Sequence, residues 1–367
     1  MSYLDGVREA LDAIRLGNRY REIAADQPRY FADFSTNDYL GLAADSRVVA
    51  ALRQATRAGA GGARLLGGRF RDQFLLEEEL AAWLGRERAL LFSSGYLAAL
   101  GAISVLARFA CAAYSDALNH ASLIDGLRLT ALPRTIYPHL ALPARESRKT
   151  PALVVTESLY GMDGDAARLR HIVDDLNKED IVLIDEAHAI GVMGENAAGL
   201  AAGIRDDRVV VMGTLSKALG GTGGFVAGPR ETIDLLVNSA RTFIYDTALA
   251  PASALSSRVA LMLACGPEGD RCRASLRARV ERLRAGLARL GLPVPAQFSP
   301  VVPILLGDER KALAAQAACL KRGVYAPAVR PPTVPAGASR LRLSVRADHT
   351  DVQIDTLLEA LACVDFS

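Results

Sequence analysis

Short apolar runs that alternate with helical segments constrain the fold of this chain most strongly. Each of four runs is followed by a loop and a segment with helical spacing: Ala89–Phe92, Ala152–Thr156, Ile181–Ile184 and Val209–Met212. Parallel strands joined by crossover helices have this pattern, because both faces of their sheet are covered and the strands are continuously apolar. The sequence therefore predicts an α/β fold built on a mainly parallel sheet.

Beyond the last of these runs the pattern changes, and a length of 367 residues suits two domains. On an Arg-rich helix the apolar residues Val280, Leu283, Leu287 and Leu290 recur at spacings of three, four and three. A helix at about 310–322, a strand at Arg340–Val345 and a final helix with a capping box at Thr350–Gln353 follow. We predict an exposed N-terminal helix over 2–21 and three regions: a helix and link over 1–44, a large α/β domain over 45–260 and a small α+β domain over 265–367.

Composition excludes several classes of protein. With 43 basic and 41 acidic side chains and no basic block, the chain lacks the charge pattern of a nucleic-acid or membrane-surface binder. Its 50% hydrophobic content excludes disorder, and its longest apolar stretch, Ala98–Ala107, is too short to span a bilayer. The five cysteines form no CxxC pair and HExxH is absent, which argues against a zinc site. We expect a cytoplasmic protein without a metal.

Polar residues follow three of the apolar runs, where ligands of parallel sheets bind. Asp185 and His188 follow the third run, although a carboxylate there could equally cap a helix. Thr214, Ser216 and Lys217 follow the fourth run and suit an anion, although most lysines lie in solvent. Ser93-Ser94-Gly95-Tyr96 follows the first run and opens a helix, whose N–H groups can bind phosphate.

One ligand explains all these groups together. Pyridoxal 5′-phosphate needs a phosphate site, an amine for its aldehyde, a carboxylate for its ring nitrogen and a flat partner for its ring. The segments 93–96 and 214–216, Lys217, Asp185 and His120 supply these groups, although His120 alone could be a core histidine. The sequence therefore predicts this cofactor.

The chain resembles a known family, the α-oxoamine synthases, which are fold-type I enzymes that use pyridoxal 5′-phosphate. The resemblance covers nearly the whole length and rests on motifs in a fixed order. They include STNDYLGL at 35–42, GGAR at 61–64, SGY at 94–96, HAS at 120–122, MDGD at 162–165, DEAH at 185–188, TLSK at 214–217 and RPPTVPAG at 330–337.

The resemblance implies a role for each matching residue. Lys217 would bind the aldehyde, Asp185 would pair with the ring nitrogen, and His188 would approach the phenolic oxygen. His120 would stack on the ring. Gly95, Tyr96 and Thr214 would hold the phosphate, and Thr247 would reach the phosphate of a second subunit, which implies a homodimer. Arg342 would bind the amino-acid carboxylate, and Arg21, Asn37 and Thr333 would line the acyl side.

The implied reaction condenses L-alanine with a pimeloyl thioester, on coenzyme A or acyl carrier protein, with loss of thiol and carbon dioxide. Another member of the family is the alternative: 2-amino-3-ketobutyrate ligase, 5-aminolevulinate synthase or an enzyme like serine palmitoyltransferase. A non-catalytic paralogous subunit is a further alternative, which the presence of Lys217 argues against.

Several positions depart from the family pattern, and they leave substrate identity and turnover open. The serine that usually contacts the cofactor's phenolic oxygen is Gly161, and losing such a hydrogen bond costs about 1–3 kcal/mol if nothing replaces it. The other departures are Ala63, Gln73, Ala99 and the run His139-Leu140-Ala141.

Overall fold

The computed structural model describes residues 2–23 and 30–364, and the polar link predicted after the first helix lies partly outside them. The chain separates into two compact units. The large unit comprises Asn37–Gly161 and Asp165–Ala274, and the small unit comprises Met1–Thr36, Met162–Gly164 and Ser275–Ser367.

The described residues form twelve α-helices. They are α1 (Tyr3–Leu16), α2 (Ser46–Gln54), α3 (Arg71–Leu84), α4 (Gly95–Leu106), α5 (Ala121–Arg128), α6 (Leu169–Asp174), α7 (Arg230–Ser239), α8 (Arg241–Ile244), α9 (Pro251–Cys265), α10 (Pro267–Arg289), α11 (Glu309–Leu320) and α12 (Asp351–Leu361). The first helix is shorter than the predicted 2–21, because Gly17 caps it and Asn18 turns away with φ 52°.

The described residues also form twelve β-strands. They are β1 (Ala32–Asp33), β2 (Arg88–Phe92), β3 (Ala112–Asp116), β4 (Arg134–Tyr137), β5 (Ala152–Glu157), β6 (Ile181–Asp185), β7 (Val209–Thr214), β8 (Gly224–Gly228), β9 (Val301–Gly307), β10 (Val324–Tyr325), β11 (Ala328–Val329) and β12 (Ser339–Ser344). The four predicted apolar runs form β2, β5, β6 and β7, and the predicted C-terminal strand is β12.

The large unit is built on one sheet, which has seven strands in the part of the chain that is described, in the order β2-β8-β7-β6-β5-β3-β4. Neighbours from β7 to β4 pair in parallel. Strand β8 is antiparallel to both β2 and β7, so the sheet is mainly parallel, as predicted. Strands β3, β4 and β8 were not predicted from the sequence.

The core of the large unit lies where α4 packs on the sheet. Ala98, Ala102 and Ile103 of α4 are fully buried and belong to one cluster with Leu153 of β5 and Leu183 of β6. Burial of both faces explains why β5 and β7 are buried at every position. The carboxyl ends of β5, β6 and β7 therefore lie side by side in a rigid frame.

The small unit has two small sheets and its own core. Strands β11, β12 and β9 pair antiparallel in that order, and β1 pairs in parallel with β10. Val280, Leu283 and Leu287 of α10 are buried, whereas Leu290 is exposed. The predicted capping box between Thr350 and Gln353 opens α12. Nowhere in residues 2–23 and 30–364 is there a helix of the length and apolarity that crossing a bilayer requires.

Candidate active site

A cavity of about 210 Å³ lies at the carboxyl ends of β5, β6 and β7 in the large unit. Its wall brings together residues that are far apart in the chain. They are Ser94, Gly95, Tyr96, His120, Ser122, Glu157, Asp185, Ala187, His188, Met212, Thr214, Ser216 and Lys217. The predicted groups for phosphate, aldehyde, ring nitrogen and ring face thus share one cavity.

One end of the cavity is formed by the N-terminus of α4, whose first N–H groups have no partner within the helix. The side chain of Ser94 caps the helix by accepting a hydrogen bond from Leu97 N at 3.2 Å, which leaves the N–H groups of Gly95 and Tyr96 as donors. A Cβ on Gly95 would lie 3.2 Å from Thr214 Cβ, and a Cβ on Gly224 would lie 2.4 Å from Gly95 N. Glycine at these positions lets the helix start approach β7 and β8.

Two hydroxyl groups lie at the same end. Thr214 Oγ1 donates to Gly223 O at 2.9 Å and lies 2.7 Å from Ser216 Oγ, while Ser216 N donates to Thr214 Oγ1 at 3.2 Å. Backbone N–H groups, a helix N-terminus and two hydroxyls form the set of neutral donors that binds phosphate.

The opposite wall carries a buried carboxylate. Asp185 ends β6, is 5% exposed, and accepts a hydrogen bond from Ala187 N at 2.9 Å. Its neighbour Glu186 faces away from the cavity and accepts hydrogen bonds from Ser158 Oγ at 2.7 Å and Leu200 N at 3.0 Å. The two consecutive acids therefore differ in role: Glu186 binds a loop, and Asp185 faces the cavity.

A hydrogen-bonded chain leads from the core to the lysine. Tyr39 Oη lies 2.7 Å from His188 Nδ1, and His188 Nε2 lies 2.8 Å from Lys217 Nζ. Tyr39 Oη also donates to Asn37 Oδ1 at 3.2 Å. Tyr39 is fully buried and His188 is 7% exposed, so the imidazole is held in a defined place beside the amine.

His120 contributes a flat ring to the cavity from the start of α5. Its Nδ1 accepts a hydrogen bond from Ser122 N at 3.2 Å and lies 2.8 Å from Ser122 Oγ, so the ring caps the helix. The cap fixes the plane of the imidazole at the cavity wall. The ring is therefore oriented by its own helix rather than buried in the core.

The remaining predicted site residues do not line this cavity. Asn37 accepts a hydrogen bond from Tyr39, and Thr247 is exposed elsewhere on the large unit, where it pairs with Ala63 in an isolated bridge. Three residues belong to the small unit: Arg21 donates to Arg330 O and Pro331 O, Thr333 N donates to Arg330 O, and buried Arg342 donates to Ser344 Oγ at 2.6 Å.

Comparison with known proteins gives the family of the chain. Residues 31–361 match the family described as aminotransferase class I and II. The chain belongs to this aminotransferase family. Within it, the chain is 44% identical to an 8-amino-7-oxononanoate synthase of Anaeromyxobacter dehalogenans, over 99% of its own length and 96% of that protein.

Solved structures that are similar to this chain support the same family. Serine palmitoyltransferase from S. paucimobilis, with a bound PLP–myriocin aldimine, matches 99% of this chain and 98% of its own with a TM-score of 0.88 and 28% identity. An 8-amino-7-oxononanoate synthase from Francisella tularensis matches 90% and 96% with a TM-score of 0.78 and 25% identity. The predicted membership of the α-oxoamine synthases and the fold-type I architecture are confirmed.

Glu157, an ionisable residue of the cavity wall, was not predicted from the sequence. Glu157 ends β5, pairs in register with Asp185 of β6, is 4% exposed, and accepts a hydrogen bond from His120 N at 2.6 Å. Burial, and then the neighbouring charge of Asp185, raises the pKa of Glu157 to about 8. The sequence does contain a signal for this residue. Glu157 directly follows the apolar run Ala152–Thr156, just as Asp185 directly follows the apolar run Ile181–Ile184.

Two departures from the family pattern have a visible structural context. Gln73 is 1% exposed; its amide oxygen accepts from Phe70 N at 2.8 Å and from Arg64, and its amide nitrogen donates to Leu249 O at 2.6 Å. It thus joins α3 to the segment that follows Thr247. Ala99 is fully buried in α4, where a larger polar side chain would displace core residues.

Proposed function

We propose that this chain is a pyridoxal 5′-phosphate-dependent α-oxoamine synthase that condenses L-alanine with a pimeloyl thioester. A carbon–carbon bond forms between the alanine Cα and the thioester carbonyl carbon, the thiol leaves, and the alanine carboxylate leaves as carbon dioxide. The product is 8-amino-7-oxononanoate, an intermediate of biotin synthesis. The observation that carries the proposal is the Lys217 amine in a cavity with a buried carboxylate and an anion site, in a chain 44% identical to a synthase of that name.

The residues of the cavity fit pyridoxal 5′-phosphate. Donors at the start of α4, with Thr214 and Ser216, match a phosphate, and a side chain on Gly95 would fill this space. The carboxylate of Asp185 matches a protonated ring nitrogen, and the capped ring of His120 matches a flat face. The cofactor would withdraw electrons from the Cα of a substrate whose amino group had replaced the lysine on its aldehyde carbon, and would so make the Cα proton acidic.

Each cavity residue has a defined task in this proposal. Asp185 would keep the proton on the ring nitrogen, because a carboxylate close by favours the positively charged form of that nitrogen. His188 would approach the phenolic oxygen, and His120 would stack on the ring. Lys217 Nζ takes the proton from the alanine Cα and later returns one, as a general base and acid.

The substrate groups are assigned to the other predicted residues. Arg342 binds the alanine carboxylate, since a guanidinium can hold both of its oxygens. Arg21, Asn37 and Thr333 line the acyl side. Thr247 contacts the phosphate in the second subunit of a homodimer, which fits its exposure on the large unit. The enzyme is proposed to act in the cytoplasm.

A matrix of amino acids and acyl thioesters tests the proposal, with thiol release as the signal. We expect L-alanine with a pimeloyl thioester to give the highest kcat/KM, and both coenzyme A and acyl carrier protein should be tried as carriers. Highest turnover with glycine, or with serine and a long-chain thioester, would assign the chain to another member of the family.

Replacement of the lysine tests the catalytic assignment. Lys217→Ala should reduce thiol release by at least about 10³-fold, because both covalent binding and the general base are lost. The variant should unfold at a temperature close to that of the unaltered protein, since Lys217 lies at the wall of the cavity. As a control, Lys178→Ala changes a lysine on an exposed turn and should leave turnover unaltered. Substantial thiol release by Lys217→Ala would refute the assignment.

A further inference from the structure

Gly161 lies directly against the imidazole of His188. A Cβ at this position would lie 2.2 Å from His188 Nε2 and 2.8 Å from both Cδ2 and Cε1. Carbon atoms do not approach other heavy atoms to these distances, so one of the two groups would have to move. The observed place of the His188 ring therefore requires glycine at position 161.

Both groups are held by hydrogen bonds. The N–H of Gly161 donates to the carboxylate of Glu157, which is 4% exposed, so the backbone is tied to the end of β5. The ring of His188 is held at Nδ1 by Tyr39 Oη, 2.7 Å away, and Tyr39 is fully buried. A side chain at 161 would therefore break an existing hydrogen bond on one side or the other.

The second ring nitrogen of the imidazole, Nε2, faces the lysine. His188 Nε2 lies 2.8 Å from Lys217 Nζ. This is the same ring atom that a Cβ on Gly161 would approach most closely. Because position 161 has no side chain, the imidazole of His188 has space to lie beside the amine of Lys217.

We propose that the missing side chain at Gly161 seats the His188 imidazole against the amine of Lys217, which makes His188 a positioning residue for that amine. The inference rests on the proposed function, in which Lys217 binds the cofactor and moves the α-proton. It also accounts for the departure from the family serine: here the imidazole fills the place of that side chain. Gly161 is then a requirement of this site rather than a loss.

A double-mutant cycle tests the contact between the two positions. Gly161→Ala, His188→Ala and the double variant are compared with the unaltered protein by the dissociation constant for pyridoxal 5′-phosphate, titrated by its visible absorbance. We expect Gly161→Ala to weaken binding about tenfold when His188 is present, as for residues in direct contact, and less than about twofold when it is absent. Gly161→Ser should behave as Gly161→Ala does.

The matched control is Gly59→Ala, because Gly59 is exposed and a Cβ there meets nothing within 4 Å. It should leave the dissociation constant unchanged. Thermal unfolding of all variants shows whether each is folded. An equal effect of Gly161→Ala with and without His188 would overturn the proposal, since it would trace the loss to the backbone. The proposal would also be overturned if Gly161→Ala had no effect on the dissociation constant when His188 is present.

A second measurement does not depend on the cofactor or on turnover. In protein freed of cofactor, the acetylation rate of Lys217 is measured by peptide mass spectrometry, with Lys149 as the internal reference. We expect Gly161→Ala and His188→Ala to raise this rate and Gly59→Ala to leave it unchanged, because the imidazole covers the amine. An unchanged rate in Gly161→Ala contradicts the inference. Failure of thiol release with normal coupling between positions 161 and 188 contradicts only the proposed reaction.

Discussion

Two carboxyl groups share one wall of the cavity, Glu157 at the end of β5 and Asp185 at the end of β6. Two adjacent buried carboxylates repel each other, and the less stabilised one holds its proton to higher pH. Burial and Asp185 raise the pKa of Glu157, while Lys217 and the N–H groups of His120 and Gly161 oppose the rise. At neutral pH Glu157 is therefore mainly neutral.

This protonation has a consequence for stability. The pKa of Glu157 rises from an ordinary 4.5 to about 8 in the folded chain. Between these values the folded chain binds more protons than the unfolded chain, so Glu157 makes the fold less stable as pH rises, by at most about 1.4 kcal/mol per pH unit. Glu157→Gln imitates the neutral form and should remove this loss. Urea denaturation at several pH values measures the effect.

The expected result is a difference that depends on pH. The unaltered protein and Glu157→Gln should have similar free energies of unfolding near pH 5, and the variant should be the more stable near pH 8. Because Glu186 is present in both proteins, its own titration cancels in the comparison. Glu9→Gln, on the exposed face of α1, serves as the control. A constant difference between the unaltered protein and Glu157→Gln over this range would contradict the assigned protonation.

At the scale of elements, the N-terminus of one helix lies at the cavity and the N-terminus of another lies in the small unit. α4 begins at Gly95 and presents N–H groups to the cavity, whereas α12 begins with a closed capping box. In α12, Thr350 Oγ1 accepts from Gln353 N at 3.2 Å, and Thr350 N donates to the side chain of Gln353 at 2.9 Å. The same geometry thus presents donors to the cavity in one helix and binds its own side chains in the other.

The capping box gives a prediction for stability alone. Thr350→Ala leaves the N–H of Gln353 without its acceptor and should lower the free energy of unfolding by about 1 kcal/mol. Thr356→Ala, in the interior of the same helix, is the matched control, since alanine is favoured there. Urea denaturation measures both, and thiol release should be unaltered in both. Equal losses of stability would show that the cap contributes nothing.

At the scale of the whole molecule, the exposed position of Thr247 matters most. Gln73 and the bridge to Ala63 hold the segment of Thr247 in place, while no cavity-lining residue of the described chain comes from it. Thr247 is proposed to contact a phosphate, yet it is held at the surface of its own chain. Both features are explained if Thr247 completes the site of a second copy of the chain.

Mixed dimers test this assignment. Thr247→Ala and Lys217→Ala chains are co-expressed with different tags, and the heterodimer is purified. If sites are shared, both changes fall in one site and the other is intact, so the heterodimer should release thiol well above either parent homodimer. If Thr247 acts within its own chain, neither site is intact. Activity no higher than that of the Thr247→Ala homodimer, or a monomeric protein, would contradict the shared site.

Local patterns determine much of this protein. Continuous apolar runs predict β2, β5, β6 and β7, and the polar residues after them predict Asp185, Thr214 and Lys217, because buried parallel strands need such runs and ligands bind beyond their ends. Periodic apolar residues predict α10, and a local hydrogen-bond pattern predicts the cap of α12. These features depend on neighbours in the sequence, so they can be read from it.

Other features were decided only by tertiary structure. Glycine-bounded β8 became part of the sheet because β2 and β7 flank it, and no periodicity in Gly224–Gly228 indicates this. The pairing of Glu157 with Asp185 depends on strand register, and the fit of Gly161 to His188 depends on packing between residues 27 positions apart (188 − 161). Sequence specifies which groups exist and which elements carry them; proximity in space sets their charge and their contacts.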